Sequence, residues 1–305
     1  MLSRVADALY WMGRYVERAE HSARVLLVTL DLQLDLGQLD PDAARAHTTG
    51  AMQALGLSLP GNEIEPVVFD QSDPATIASL VDRARQNGRQ VREVTSSAMW
   101  EQLNGLYWRL REAGGEQHDL FQTLAAVVDG CVLWSGVTDS TMSHGEGWLF
   151  IKLGQYVERA DRVSRLISAQ ARRSAQSASG ERKAADTDNL LWLTLLRSCS
   201  ALEAYRALHP TRVSPRRVLE FLVLDRQFPR TVRFSVDRAA GVARDITGLA
   251  QRGGDVERRF GRLAAQLDYA DLDELVARGA ESYLDEVLLA IGDASMAVQR
   301  NFFLH

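Results

Sequence analysis

Two glutamate–arginine dipeptides, Glu17-Arg18 and Glu158-Arg159, are the residues of this sequence best suited to chemistry. An arginine can bind a carboxylate or a phosphate through two hydrogen bonds, and a glutamate can bind an amine. Neighbouring residues on a helix point about 100° apart, so the two members of one dipeptide cannot pair with each other. Each of the four side chains therefore needs a partner from elsewhere in the molecule.

Each dipeptide belongs to a longer repeat, which indicates an internal duplication. Three segments of the first half recur in the second half in the same order: 13–20 as 154–161, 68–84 as 223–239 and, more faintly, 124–129 as 288–293. Two copies are too few for a solenoid, which usually needs three or more repeats. We therefore expect halves of about 1–140 and 141–305 to bury their apolar faces against each other within a single domain, 1–305.

A pseudo-twofold relation between the halves predicts partners for the dipeptides. Glu17 would pair with Arg159, and Arg18 would pair with Glu158. Such a cluster has two possible roles: an ion-pair network that fixes the register of the helices, or the lining of a cleft that binds an amino acid or a peptide end. The same two roles are open to eight further residues, which are Tyr10, Trp11, Tyr15, Tyr156, Asp82, Arg83, Asp237 and Arg238.

Gly13 and Gly154 each lie four residues before the glutamate of a dipeptide. On a helix this places each glycine one turn away on the same face. The missing side chains leave space there, which either a crossing helix or a ligand can occupy.

The spacing of apolar residues predicts an all-α fold. Apolar or small residues recur every three or four positions from Leu2 to Leu30 and again from Phe150 to Ala171, which is typical of long packed helices. Residues 75–209 contain no proline. We expect a pseudo-twofold bundle of roughly ten helices, with helix caps at Asp73 and Ser214, each followed by a proline, and a linker at 174–186.

Composition excludes several classes of protein. Net charge is −5 and the basic residues are dispersed, so we expect no binding to nucleic acid. Lysine occurs only at Lys152 and Lys183, which excludes a P-loop for ATP. The two cysteines lack metal-site spacing, and Glu17 and His21 lack the Glu-x-x-His spacing of a di-iron site, so we expect no metal and no cofactor. Without a visible signal peptide or membrane span, we expect a cytoplasmic protein.

The opening segment Met1–Glu20, with Tyr-Trp-Met-Gly-Arg followed in register by Glu-Arg, resembles the alpha-E family. The segment Met-Trp-Glu-Gln-Leu-Asn at 99–104 is also similar to that family. These bacterial proteins are all-helical and take their name from the Glu-Arg motif. The resemblance implies genomic neighbours: a circularly permuted ATP-grasp ligase and a transglutaminase-like protein, in systems proposed to make or process peptides. It assigns no catalytic role to the motif.

Three functions follow as hypotheses. The first is an accessory protein that does not bind ATP and that scaffolds the ATP-grasp ligase or presents an amino acid or peptide to it. The second is an amidoligase or peptide-modifying enzyme, with Glu17 or Glu158 as general base and Arg18 or Arg159 stabilising charge. The third is a purely structural subunit of a homo-oligomer. An enzyme requires these side chains to converge on an accessible pocket, whereas a scaffold requires them to be paired and dry.

Overall fold

A computed structural model describes residues 1–36, 40–57, 63–114, 119–177, 182–210 and 212–304. These residues form fourteen α-helices and one π-helical segment and include no strand, so the all-α prediction is confirmed. The helices are α1 (Ser3–Leu36), α2 (Pro41–Leu55), α3 (Glu65–Phe69), α4 (Ile77–Gln90), α5 (Ser97–Ala113), α6 (Leu120–Thr141), α7 (Glu146–Ser177), α8 (Arg182–Ser198), α9 (Leu202–Leu208), α10 (Pro215–Leu224), α11 (Val232–Ala250), α12 (Gly254–Asp268), α13 (Leu272–Arg278) and α14 (Ala280–Val298), and the π-helical segment is Gln299–Phe303.

The described helices outnumber the roughly ten that the sequence predicts. The additional ones are short: α3 has five residues, and α9 and α13 have seven each. Segments of this length contain at most two turns, which is too little to show a helical period. Gly279, which has a positive φ of 87°, ends α13 and separates it from α14.

Two local predictions need correction. Asp73 does not cap a helix, because its carboxylate accepts a hydrogen bond from the backbone N–H of Ala75 at 2.8 Å within a turn, and Thr76 caps α4 instead. Ser214 does precede a helix that starts with proline, α10, but its side chain makes no capping hydrogen bond. The described parts of the predicted linker at 174–186 are helical, since α7 continues to Ser177 and α8 begins at Arg182, and residues 178–181 lie outside the described residues. The Ala, Arg and Gln residues there favour helix.

The two longest helices, α1 and α7, lie against each other at the centre of the fold. They run in the same direction, because Met1, just before α1, contacts Glu146 at the start of α7, and Glu17, farther along α1, contacts Arg159, farther along α7. The regularly spaced apolar and small residues in the middle of both helices are buried, whereas Leu2, the first of them on α1, is 63% exposed. One cluster of buried apolar side chains extends from α1 to the π-helical segment. The pair α1–α7 is therefore the axis on which the other helices are arranged.

The neighbours of α1 and of α7 follow the same order along the chain. α4 and α6 pack on α1, and α11 and α14 pack on α7, while α5 bridges α4 and α6 as α12 bridges α11 and α14. The turns that start α4 and α11 also share one hydrogen-bonding pattern. Thr76 Oγ1 donates to the carbonyl oxygen of Asp70 at 2.5 Å, and Thr231 Oγ1 donates to that of Asp225 at 2.6 Å. The repeated sequence at these two places thus forms the same local structure.

Among the described residues, α6 is the one helix that is long and apolar enough to cross a membrane by length and composition. Core helices satisfy the same criterion, and α6 packs on α1 and α5 with Leu124, Trp134 and Thr138 buried. The cytoplasmic location inferred from the sequence stays a prediction.

The glycines of the repeat allow a close approach of two backbones. A Cβ atom placed on Gly13 would lie 2.4 Å from the carbonyl oxygen of Ile151, and one placed on Gly154 would lie 2.2 Å from that of Tyr10. Real Cβ atoms do not approach a carbonyl oxygen so closely, and a backbone atom cannot rotate away as a flexible side chain can. Of the two occupants that the sequence allows for this space, the structure places a crossing helix there.

We predict that Gly13→Ala and Gly154→Ala each lower the free energy of unfolding by at least about 1–3 kcal/mol, because α1 and α7 must move apart. Gly105→Ala is the matched control, since Gly105 lies within α5 and a Cβ atom placed on it would meet open space in the described structure. The control should be neutral or stabilising by up to about 1 kcal/mol, because alanine favours helix. Urea denaturation of the three variants measures this, and equal stabilities would contradict the close approach.

Candidate functional site

The four side chains of the two Glu-Arg dipeptides meet where α1 crosses α7. Arg159 donates from Nε and Nη2 to the two carboxylate oxygens of Glu17 at 2.6 and 2.7 Å. Arg18 donates from Nε and Nη2 to the carboxylate of Glu158 at 2.5 and 3.1 Å. Both reciprocal contacts that the sequence predicts are therefore present, and each is a two-point contact between an arginine and a carboxylate.

The carboxylates of this cluster are out of contact with solvent. Glu17 is 1% exposed and Glu158 is 0% exposed. The side chains of Arg18 and Arg159 keep 21% and 16% of their surface exposed, so each arginine reaches inward from the edge of the interface. The close approach at Gly13 and Gly154, one turn away, brings the carboxylate of each helix within reach of the other helix.

Glu158 binds two further arginines that the sequence analysis did not include. Arg14 Nε lies 2.7 Å from one carboxylate oxygen, and Arg162 Nε lies 2.8 Å from the other. Arg162 stands one turn after Glu158, so helical spacing alone indicated this pair. Arg14 comes from the other helix, and its position in the second repeat is held by Gln155. The two repeats therefore give Glu158 a different environment from that of Glu17.

Glu17 is connected to a second acid through Arg230, which precedes α11. Arg230 lies 3.6 Å from the carboxylate of Glu17 and also forms an ion pair with Glu20. Glu20 in turn accepts a hydrogen bond from Arg24 at 2.5 Å. No repeat or spacing in the sequence indicated Arg230, because it lies more than 200 residues from its partners along the chain.

The arginines determine the protonation of the buried acids. Burial alone would raise the pKa of Glu158, but Arg14, Arg18 and Arg162 outweigh burial and hold that pKa well below its usual value. Burial likewise opposes ionisation of Glu17, and Arg159 with Arg230 lowers its pKa in turn. Both carboxyl groups are therefore ionised at neutral pH and are poor proton acceptors.

His21, beside the cluster on α1, is buried and faces arginines. Burial lowers its pKa to about 3, with Arg162 and Arg230 acting in the same direction. The imidazole is consequently neutral at pH 7 and adds no charge to the cluster.

The aromatic residues predicted for this region lie beside Arg14 and Arg159. Tyr10 is fully buried, and its hydroxyl lies 2.9 Å from Ser295 Oγ, to which Arg14 Nη1 also donates at 2.9 Å. The guanidinium of Arg14 lies 4.9 Å from the ring centroid of Trp11, and Trp11 stacks on Tyr15 at 5.4 Å. On the other helix, Tyr156 is half-buried and has the guanidinium of Arg159 at 5.7 Å from its ring centroid. These rings cover the ion pairs.

The predicted dipeptides Asp82-Arg83 and Asp237-Arg238 are not part of the ion-pair cluster in the described structure. Asp82 accepts a hydrogen bond at 2.6 Å from Gln86 on its own helix. Arg83 lies 6.0 Å from the ring centroid of Tyr15, and Arg238 lies 5.0 Å from that of its neighbour Phe234. Arg83 thus lies near Tyr15 of α1, and Arg238 acts electrostatically on Tyr156 of α7, but among the described residues none of the four side chains forms an ion pair with Glu17 or Glu158.

The arrangement is suited to fixing two helices rather than to proton transfer. Its acids are buried, ionised and bound to arginines, whereas a general base needs a free lone pair within reach of a substrate. Within the described part of the chain, no three His, Cys, Asp or Glu side chains are placed to hold a metal ion. A cleft of about 460 Å³ lies between α2, α7 and α14, and neither glutamate lines it.

We predict that Glu158→Gln lowers the free energy of unfolding by about 3–5 kcal/mol, because three arginines lose their common carboxylate in a buried site. Arg45→Gln is the control, since Arg45 and its partner Asp42 are both largely exposed and such pairs contribute about 0–1 kcal/mol. Chemical denaturation at pH 7 measures both changes. Similar small effects in the two variants would show that the buried pairs do not stabilise the fold.

We predict that stability falls as pH decreases from about 6.5, because His21, like His47 of α2, has a lower pKa in the folded protein than in the unfolded chain. The unfolded chain then binds a proton that the folded protein excludes, and the loss continues until pH reaches about 3. The buried glutamates add to the loss only below about 4.5, where unfolded glutamate takes up protons.

Urea midpoints measured between pH 7 and 4.5 test this dependence in the native chain and in His21→Gln. The variant should show a shallower decrease, by up to about 1.4 kcal/mol per pH unit. The same slope in both proteins would mean that His21 does not remain neutral in the fold.

Comparisons with known proteins agree with this motif and fold. Residues 1–303 match the model of the Alpha-E family, described as a predicted alpha-helical domain with a conserved ER motif. Uncharacterized proteins of Mycobacterium bovis and Mycobacterium tuberculosis are 25% identical over 318 residues, covering 94% of this chain. The chain spans only 35% of the length of these relatives. No solved structure matches it. The chain thus belongs to the Alpha-E family.

Proposed function

We propose that this chain is a helical accessory protein of an ATP-grasp peptide-ligase system, without ATP chemistry of its own, which holds the ligase or presents an amino acid or peptide to it. The observation that carries the proposal is that the Glu-Arg side chains are bound to one another. Glu17 and Glu158 are 1% and 0% exposed, and each accepts two hydrogen bonds from an arginine of the opposite helix. The motif is therefore structural in this proposal.

An internal pseudo-twofold duplication is part of the same proposal. It is supported by the reciprocal ion pairs, by the matching order of helices packed on α1 and α7, and by the common turn at Thr76 and Thr231. Two copies that share one central crossing form a rigid body with two related outer faces. Such a body suits a protein that positions others.

Partnership with a ligase rests on the family resemblance and is supported by two features of the sequences. Lysine occurs only at Lys152 and Lys183, so a phosphate-binding loop with lysine is absent and ATP chemistry would belong to the partner. The region of the mycobacterial relatives that is similar to this chain makes up about a third of their length, so in them it is joined to further sequence. An arrangement with adjacent domains agrees with a role beside another protein.

The enzyme hypothesis, with Glu17 or Glu158 as general base, receives less support. Either glutamate would have to release its arginines and reach a substrate through a packed helix crossing. Breaking one such buried pair costs about 3–5 kcal/mol before any chemistry. The third hypothesis, a structural subunit of a homo-oligomer, stays a prediction.

We predict that the chain co-purifies with an ATP-grasp ligase of the kind that the family resemblance implies, taken from the same genome, and increases ATP-dependent ligation of amino acids or peptides by that protein. Co-expression followed by affinity capture measures the first effect, and ADP release with mass spectrometry of the products measures the second. The chain alone should release no ADP.

The variants Glu17→Gln and Arg45→Gln separate fold from function in this assay. We expect Glu17→Gln to lose stimulation in proportion to its loss of folded protein, and Arg45→Gln to retain it. Absence of both co-purification and stimulation would contradict the accessory role. Loss of ligation in a fully folded Glu17→Gln variant would instead favour the enzyme hypothesis.

A further inference from the structure

A small cavity lies between α2, α7 and α8, away from the Glu-Arg cluster. It measures about 30 Å³ and adjoins the cleft of about 460 Å³ between α2, α7 and α14. Gly50, Ala169 and Arg173 line both spaces. A group bound in the cavity can therefore be continuous with a larger body lying in the cleft.

Gln170 presents an unused hydrogen-bond donor at the cavity. The residue is 4% exposed, and its Oε1 accepts a hydrogen bond from Arg173 Nη2 at 2.6 Å. Because a guanidinium only donates, this contact fixes the orientation of the amide and identifies Nε2 as its donor end. Gln170 Nε2 is buried without a hydrogen-bond partner. A buried donor without a partner is destabilising by about 1–3 kcal/mol, so an acceptor at this position is favoured.

Arg173 brings a positive charge that no acid among the described residues contacts directly. Its Nε is buried without a partner, and no described carboxylate lies within ion-pairing distance of its guanidinium. Asp188 acts on it from farther away, and the carboxylate of Asp188 already accepts from Ser174 and Trp192. Burial accordingly lowers the pKa of Arg173. A bound anion would supply the missing charge.

His47 and Gly50 of α2 lie beside the guanidinium of Arg173. Arg173 Nη2 lies 3.4 Å from His47 Nδ1, which must accept, so the neutral ring carries its proton on Nε2. Burial, with Arg173, lowers the pKa of His47 to about 3, so this residue adds no charge at pH 7. Gly50 leaves room for the arginine, since a Cβ atom there would lie 2.7 Å from Arg173 Nη1.

We propose that this cavity binds a carboxylate group of an acidic amino acid or short acidic peptide, whose remainder lies in the adjoining cleft. One cation with neutral donors matches a single negative charge, whereas a phosphate dianion would need more charge and more space. Arg165 and Arg172 line the cleft together with Arg173 and Asp285, so a second acidic group of the ligand would meet guanidinium groups there. Arg165 and Arg172 are themselves paired with acids, so they act as the outer part of the site.

The proposal does not depend on the proposed ligase partner, because the site is contained in this chain. Failure to bind a carboxylate would leave the accessory role intact, and failure to bind the ligase would leave this site intact. The two proposals are therefore tested separately.

Isothermal titration of the full chain with N-acetyl-L-glutamate, in a chloride-free buffer, tests the site. We expect saturable binding and no binding of the neutral analogue N-acetyl-L-glutamine amide. Arg173→Gln should weaken binding by at least about tenfold, since it removes the only inner cation. Gln170→Leu should weaken it by a similar factor, since it removes the amide donor while keeping the size of the side chain.

Two further variants define the location. Gly50→Ala should also weaken binding, because the new methyl group displaces Arg173 Nη1. Arg45→Gln, on the same helix but outside both spaces, should bind as the native chain does. Thermal melting of each variant checks its fold, and Gln170→Leu introduces no charge and should fold normally. No binding by the native chain, equal binding of the neutral analogue, or unchanged binding in a folded Gln170→Leu variant would overturn the proposal.

Discussion

The crossing of α1 and α7 is the constraint on which the rest of this structure depends. Two helices that run in the same direction approach closely only because Gly13 and Gly154 carry no side chain. That distance lets an arginine of each helix reach a glutamate of the other through two hydrogen bonds. Without these contacts the buried charges would be destabilising by several kcal/mol each, so the glycines and the ion pairs require one another.

The two glutamates of the cluster have different charged neighbours, although the two repeats are similar in sequence. Arg14 on α1 corresponds to Gln155 on α7, and His21 corresponds to Arg162. Glu158 consequently binds three arginines, while Glu17 is bound by Arg159 and approached by Arg230. A neutral His21 avoids a further positive charge among these arginines. Such differences fix one arrangement of the helices, since exchanging the roles of the two repeats would leave charges without partners.

In the described structure the Glu-Arg side chains are bound to one another and buried between the helices. In the proposed function, a ligand or a protein partner is therefore recognised elsewhere on the protein. The space between α2, α7 and α8 differs from the cluster in the respect that matters for binding. Its arginine and its amide have donors without partners, whereas the donors and acceptors of the Glu-Arg pairs satisfy each other.

Much of this architecture was predictable because it follows from short sequence patterns. Apolar spacing indicated the long helices, and the two copies of Glu-Arg indicated the reciprocal pairs, since a repeat relates residues that are far apart in the chain. Arg230 and the unpaired donors of Gln170 and Arg173 followed from no such pattern. The residues around these side chains come from segments that share no repeat and no regular spacing. Whether a polar atom finds a hydrogen-bond partner there depends on how helices distant in sequence pack together. The sequence alone thus determined the elements and their central contact, and tertiary packing decided which charged and polar groups find partners within the described chain and which do not.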